Sequence, residues 1–586
     1  MKKYDNLRIN IFFGLVLLAS SLILYRLFVL SYIKHSFYLL TSEVQNENIS
    51  NILARGNIYL REGDDLYLAV TNKKNPLAYI APSYFEKGVD GVTANRLIEI
   101  LGINSDAIEK SVESKSSSFK VLKRDLSNEQ VEKIKNLKIK GVGVSYETDR
   151  FYAGGSLASS VLGFVGYGEN GRSGQYGAES FYDQELSGQK NNAGNSMDSK
   201  KFTGAFAAFK NYFLKKIGKS QNDGGKKETI SANMRRPADL VLTIDKNIQE
   251  FIEDKLGGLM KKWEAAGATI IVQEPYSGKI LAMADRPTFN PNDYGSFKTD
   301  LFLNRSVQDI FEPGSSYKPI TMAMGLDLGK VFPTTTFTDT GSFTVAGRTI
   351  KNFSEKIFGV RTMSEVLEKS INTGAMFVEN LVGDDNFLNY SINFGFGQRT
   401  GIDLPGELSG DIANLYSGRK INYLTASFGQ GIAVTPIQLI NSFSAIANGG
   451  KLMRPYVVEK VVKGGSDEII TKPEIIGIPF SEKTANKLKA MLVSVVDNGF
   501  DKAKIKGYDI AGKTGTAQIP DKSGGYAENE FIHDFLGFAP AYDPKFVILI
   551  KMDRPKGITF AADSLSPTFR EITQFLITYY KIPPTR

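Results

Sequence analysis

"GYDIAGKTGTAQ", residues 507–518, is the stretch on which the fold turns. Gly507, Gly512, Lys513 and Thr514 satisfy G-x-x-x-x-G-K-[ST], the pattern of a nucleotide-binding phosphate loop. Such a loop needs a buried strand before it and a helix opening at its Lys-Thr, whose N–H groups hold phosphate. Upstream here stands "DNGFDKAKIKGYDI", polar and rich in lysine. Downstream, Gly515 and Pro520 are poor residues for starting a helix. Only about seventy residues remain, too few for the doubly wound sheet that normally follows a phosphate loop. The stretch is predicted instead as a strand, with glycines where a ligand backbone must approach, and the ATPase reading is set aside.

The rest of the chain bounds the alternatives. At 586 residues it is too long for one compact domain, and two or three are expected. A formal charge of +8 is a mild basic excess without a dense Arg/Lys block, so no nucleic-acid partner is expected. There is no cysteine, which excludes disulfides, thiolate metal sites and cysteine nucleophiles. The two histidines, His35 and His533, cannot build a multi-imidazole zinc site. No metal and no cofactor are therefore expected.

Near the N-terminus, Lys2, Lys3 and Arg8 precede Ile9–Tyr25, a run without charge that Leu27–Leu30 continue past Arg26. About 20 such residues span a bilayer. The basic flank predicts a single-pass anchor in the cell membrane, N-terminus cytoplasmic and the remainder extracytoplasmic; a cleaved signal peptide is the alternative, against which stand the long apolar core and the lack of an A-x-A site after it. The expected organisation is a tail (1–8), a transmembrane anchor (9–33), an irregular α+β module (34–238) and a large α+β domain (239–586). In the last, "ADLVLTIDKNIQEFIEDKL" reads as a strand and a helix, and "ATIIVQEPYSGKILAMA" as a hairpin. Strands are expected to return at 508–517, 535–539 and 546–552. The closing helix is capped either by Ser566 or by a Thr568–Glu571 box. Strands at both ends of this domain predict one sheet closed by distant segments and backed by helices. A Phe/Lys pattern at 202–219 predicts an amphipathic helix, packed either on its own module or on the membrane face.

Chemistry is suggested by three short motifs. Ser315 precedes Lys318 by three residues, between a Gly-containing turn and an apolar run, so both side chains would share one helix face. Pro319 stands in tension with this, because it biases Lys318 away from the α region. Ser31, Ser117, Ser187 and Ser417 also precede a lysine by three, without that context. Ser370-Ile371-Asn372 follows 55 residues after Ser315, with Ser391-Ile392-Asn393 as a decoy. Lys513-Thr514-Gly515-Thr516 begins 198 residues after Ser315. Each triplet alone is noise; the three in order are a strong signal.

The set resembles the penicillin-binding proteins and serine β-lactamases, and "GSLASSVLGFVG", "GAESFYDQELSG", "NRSVQDIFEPGSSYKP", "TGIDLPGE", "FGQGIAVTPIQL" and "FLGFAPA" narrow it to the class B penicillin-binding proteins. The lead-in Glu312-Pro313-Gly314 and "FLGFAPA" look like the division type. Leu60 and Glu62 depart from the family pattern, and 202–219 looks like an insertion. The resemblance implies a peptidoglycan D,D-transpeptidase with a penicillin-binding fold, an antiparallel sheet flanked by helices. It implies catalytic roles for Ser315 (nucleophile), Lys318 (base), Ser370 (proton relay), Asn372 (donor backbone) and Lys513 (second cation). With Lys513, Thr514 and Thr516 would bind the donor carboxylate beside Gly515, and the N–H groups of Ser315 and Thr516 would form the oxyanion hole. It implies stem peptides ending in D-Ala-D-Ala as substrates, β-lactams as inhibitors, and a membrane-embedded glycan polymerase and other division proteins as partners. A D,D-carboxypeptidase, or an acylated sensor or scaffold of the same fold, is the alternative.

Overall fold

In a computed structural model of the chain, the described residues are 16–18, 20–26, 55–85, 88–113, 120–168, 171–188, 237–345, 347–464, 467–520 and 525–586. Residues 16–18 and 20–26 of the expected anchor are helical, and the rest of 9–33 lies outside the described residues. Among the described residues no helix is long and apolar enough to cross a membrane. The Phe/Lys segment 202–219 also lies outside them.

The described chain forms two compact units, and they part elsewhere than at 238/239. One contains 72–151; the other contains 55–71 together with 152–586. In the first, Asp90 caps the helix Gly91–Leu101, and Ser127 with Gln130 forms a capping box on Asn128–Leu137. Leu97, Leu101, Ile108, Val131 and Ile134 make its core. The second unit absorbs 55–71 because the strand Ile58–Glu62 pairs in parallel with Ala238–Asp245, Ile58 opposite Leu240. The ends of the 72–151 excursion meet inside this unit, where the Ala153 N–H donates to the Ala69 carbonyl at 2.8 Å.

The heart of the second unit is a five-stranded antiparallel sheet in the order Ala511–Pro520, Tyr526–Ala539, Phe546–Asp553, Gly267–Gln273, Ile280–Arg286. Its inner strands read as continuous apolar runs because both faces are covered. Ile270, Ile548, Ile550 and Phe535 pack against Ile248, Ile252, Phe569 and Ile572 of the helices Lys246–Trp263 and Ser566–Tyr579. Ile271, Val547, Leu549 and Leu536 face the other way, into the core shared with the helices Lys318–Asp327 and Pro436–Ala447. Both ends of the domain thus build one sheet, as expected. The closing helix is capped by neither expected device: Ser566 is its first helical residue, Leu565 holds the N-cap position, and Pro567 sits in the first turn.

The phosphate-loop alternative fails on this fold. Residues 511–520 are the edge strand of the sheet, with no helix opening at Lys513. Gly512 and Gly515 make room for neighbouring side chains within the protein. A Cβ on Gly512 would lie 3.0 Å from the Phe535 ring, and one on Gly515 would lie 2.3 Å from the Asp534 carboxylate.

Candidate active site

Ser315 lies in a 3-10 turn, Gly314–Tyr317, that runs directly into the α-helix Lys318–Asp327. Three residues per turn eclipse positions i and i+3, so Lys318 Nζ comes to 3.0 Å from Ser315 Oγ. Pro319 does not push Lys318 out of the helical region: Lys318 keeps φ −57°, ψ −38°, and the proline occupies the first turn, where its missing N–H costs nothing.

Two glycines hold this turn in place. Gly314 has φ +55°, and a Cβ on it would meet the Thr516 carbonyl of the edge strand at 3.1 Å. Its N–H donates to the Gly429 carbonyl at 3.0 Å, and a Cβ on Gly429 would lie 2.1 Å from the Gly314 oxygen. Just ahead, the half-buried Glu312 carboxylate accepts from the Gly431 N–H at 2.9 Å and the Tyr526 hydroxyl at 3.0 Å.

Ser370 stands between the helices Met363–Glu368 and Asn372–Val382, at φ +55°. That left-handed conformation costs a non-glycine residue about 1–2 kcal/mol. It brings Ser370 between the two lysines. Lys318 Nζ lies 2.5 Å from its carbonyl and 3.2 Å from its Oγ, and Lys513 Nζ lies 3.1 Å from the same Oγ. Lys513 also donates to the Thr514 carbonyl at 2.9 Å. The start of the following helix is pinned by a buried carboxylate. Asp339 accepts from Thr373 Oγ1 at 2.6 Å, from Asn352 Nδ2 at 3.0 Å, and from the Gly341 and Phe358 N–H groups at 2.9 and 2.7 Å.

Both lysines are buried to within about 1% exposure. Burial, and then the neighbouring Lys513 charge, hold the Lys318 amine well below the usual lysine value. Burial draws Lys513 down to about 8, against the pull of Asp534. An ordinary lysine would cost roughly 4–5 kcal/mol to deprotonate at pH 7; burial beside a second cation removes much of that cost from Lys318.

The structure therefore brings Ser315, Lys318, Ser370 and Lys513 together. Asn372 is the first residue of its helix and donates to the Lys351 carbonyl at 3.2 Å. Thr514 and Thr516 are partly exposed on the edge strand, and Thr516 Oγ1 accepts the Ala561 N–H at 3.1 Å. Two of the alternatives are structural, while Ser31, Ser117 and Lys190 lie outside the described residues. Ser391 is buried, 3.0 Å from the Tyr317 hydroxyl, and Lys420, which follows Ser417, pairs with Glu379 at 2.7 Å and Asp384 at 2.6 Å. His533 points to the opposite face from Lys513, between Ser564 Oγ (2.8 Å) and the Thr559 carbonyl (3.1 Å). Sequence reasoning did not find Asp339, Asp534 or the contacts of Glu312. Register and tertiary contact reveal them, and the Glu-Pro-Gly lead-in was the one local signal.

The penicillin-binding protein transpeptidase domain family matches residues 268–574, and the penicillin-binding protein dimerisation domain matches residues 52–204. Stage V sporulation protein D of Bacillus subtilis is 33% identical, over 91% of this chain and 79% of its own. The peptidoglycan D,D-transpeptidase FtsI of Escherichia coli is 26% identical, over 97% of this chain and 91% of its own. The solved structure of penicillin-binding protein 3 from Mycobacterium tuberculosis, complexed with aztreonam, superposes with a TM-score of 0.64 at 27% identity, over 75% of this chain and 92% of its own. The matched transpeptidase region holds both lysines and both serines of the buried cluster, and on sequence and architecture alike the chain belongs to the penicillin-binding protein transpeptidase family.

Proposed function

We propose that the chain is a peptidoglycan D,D-transpeptidase that crosslinks stem peptides through an acyl-enzyme on Ser315. One observation carries the reading: a hydroxyl 3.0 Å from a buried amine whose pKa is pressed well below the usual lysine value by burial and a second cation. A neutral Lys318 has two N–H groups, which Ser370 can accept, and one lone pair left for the Ser315 proton. Ser315 Oγ then bonds to the carbonyl carbon between the two D-alanines of a donor stem. That carbon's bond to nitrogen breaks, and the terminal D-Ala leaves with a proton delivered from Lys318 through Ser370. An amine of a neighbouring stem attacks the ester, gives its proton back along the same path, and frees the serine.

Lys513 supplies the cation that opposes protonation of Lys318 and, with Thr514 and Thr516, receives the donor carboxylate. Gly515, beside them, leaves the room that the Asp534 carboxylate occupies. Asn372 holds the donor backbone at the mouth of the site. The Ser315 and Thr516 N–H groups stabilise the oxyanion, a contribution worth about 3–4 kcal/mol when one donor is lost elsewhere.

The uncharged run 9–25 supports a membrane-anchored enzyme with this site outside the membrane, and the division-type look of Glu312-Pro313-Gly314 and "FLGFAPA" supports a septal role, by that same resemblance beside a glycan polymerase. Labelling with a fluorescent penicillin, followed by mass-spectrometric mapping, tests the site. The label is expected on Ser315 and absent from Ser315→Ala. Label on Ser417, or hydrolysed stem peptide without crosslinked dimer, overturns the reading.

A further inference from the structure

Asp534 is fully buried, and among the described residues neither of its carboxylate oxygens has a hydrogen-bond partner. The Ser316 hydroxyl is close enough to favour the anion, but it donates to the Pro313 carbonyl at 2.8 Å. An isolated buried carboxylate is costly unless a cation answers it.

Its place in the sheet identifies that cation. Asp534 pairs with Gly515 on one side and Lys551 on the other. Side chains alternate along a strand, so Lys513 and Gly515 share the face onto which Asp534 projects. The space a side chain on Gly515 would fill is taken by the Asp534 carboxylate.

The charged groups around it come from every neighbouring element. The edge strand contributes Lys513. The inner strand contributes Lys551, which already pairs with Asp553 at 2.6 Å and Asp309 at 3.1 Å. The nucleophile turn contributes Ser316 and, beyond it, Lys318. Further along the same row lie Asp285, 2.8 Å from Thr269 Oγ1, and Arg305 beside it. Lys551 is thus answered by two carboxylates, whereas the hydrogen bonds of Lys513 run to the neutral oxygens of Ser370 and Thr514. Asp534 is the anion that faces Lys513.

We propose that Asp534 is a positioning residue for acyl transfer: its carboxylate, lodged over Gly515, keeps Lys513 cationic beside Ser370 and so leaves Lys318 as the neutral base. The proposal rests on the acyl-transfer reading above. Burial is the largest cause in both groups, drawing Lys513 down and pushing Asp534 up; the attraction between them opposes both shifts, and the Asp534 carboxyl is left at about 7.

The test is the pH profile of acylation by a fluorescent penicillin, on the full chain and on Asp534→Asn and Asp534→Ser, with thermal melting of each. Removing a neighbouring opposite charge moves a pKa by about one unit or more. The alkaline limb of the acylation rate is therefore expected to move down by about one pH unit, a loss of about fivefold near pH 8. A limb that stays in place in whichever variant folds overturns the proposal, and so does a lowered melting temperature with an unchanged profile. A wild-type chain that takes no label at Ser315 overturns the acyl-transfer reading itself, and this proposal with it.

Discussion

On the proposed mechanism, a lysine that must be neutral and a lysine that must be charged stand on either side of one serine hydroxyl. Ser370 Oγ is 3.2 Å from the first and 3.1 Å from the second. Removing the base leaves the serine at its ordinary, unreactive pKa, so Lys318→Met is expected to slow acylation by a penicillin about 10²–10⁴-fold while leaving the melting temperature near wild type. Stopped-flow labelling checks it. The pH profile follows from the directions of the two shifts. Below the depressed Lys318 value the amine is protonated and cannot accept, so acylation rises with pH through that value. Once pH passes about 8, Lys513 loses its charge and acylation falls again. A rate that climbs without turning over to high pH would contradict this assignment. At this scale the meeting of Ser315, Lys318, Ser370 and Lys513 was legible, because each sits in a short motif. Asp534 was not: nothing in "FIHDFLGF" says that its fourth residue covers a glycine 19 positions earlier.

At the scale of elements, the site depends on close packing that side chains would prevent. Gly429→Ala would press a methyl into the Gly314 oxygen at 2.1 Å and displace the turn that carries Ser315. It is expected to lower stability by about 1–3 kcal/mol and to cut acylation at least tenfold, read by thermal melting and penicillin labelling. Thr373→Val removes one of the bonds on Asp339, which is 2% exposed. Weakening the satisfaction of that buried carboxylate should cost about 1–3 kcal/mol. Because Thr373 lies in the first turn of the helix that follows Ser370, labelling should slow as well; denaturant unfolding and labelling rates check the two halves. Sequence pattern predicted the strands and helices here, since their apolar runs and glycines are local. It predicted neither the 3-10 turn at Gly314–Tyr317 nor the uncapped start of the closing helix, because both are fixed by what packs against them.

Across the whole molecule, the chain leaves the larger unit after Thr71 and re-enters it at Tyr152, with Ala69 and Ala153 joined by a backbone hydrogen bond of 2.8 Å. A short loop can close so small a gap at little entropic cost. Replacing 72–151 by a short Gly/Ser turn is expected to leave a folded unit that still takes penicillin on Ser315, measured by labelling and circular dichroism. Loss of labelling would show that the excised unit supports the site. This division was hidden in the sequence, which suggested a boundary near 238. The parallel pairing of 58–62 with 238–245 joins segments some 180 residues apart, and no local pattern encodes it.

The edge strand that carries Lys513 joins the sheet through Tyr526–Ala539, which is held in turn by Phe546–Asp553. A ribosome that has delivered Ser315, Lys318 and Ser370 has therefore not yet delivered a reactive serine. On the proposed mechanism the nascent polypeptide stays inert toward a β-lactam until residues 511–553 have emerged and paired, and any product truncated before residue 511 would carry Ser315 as an ordinary alcohol.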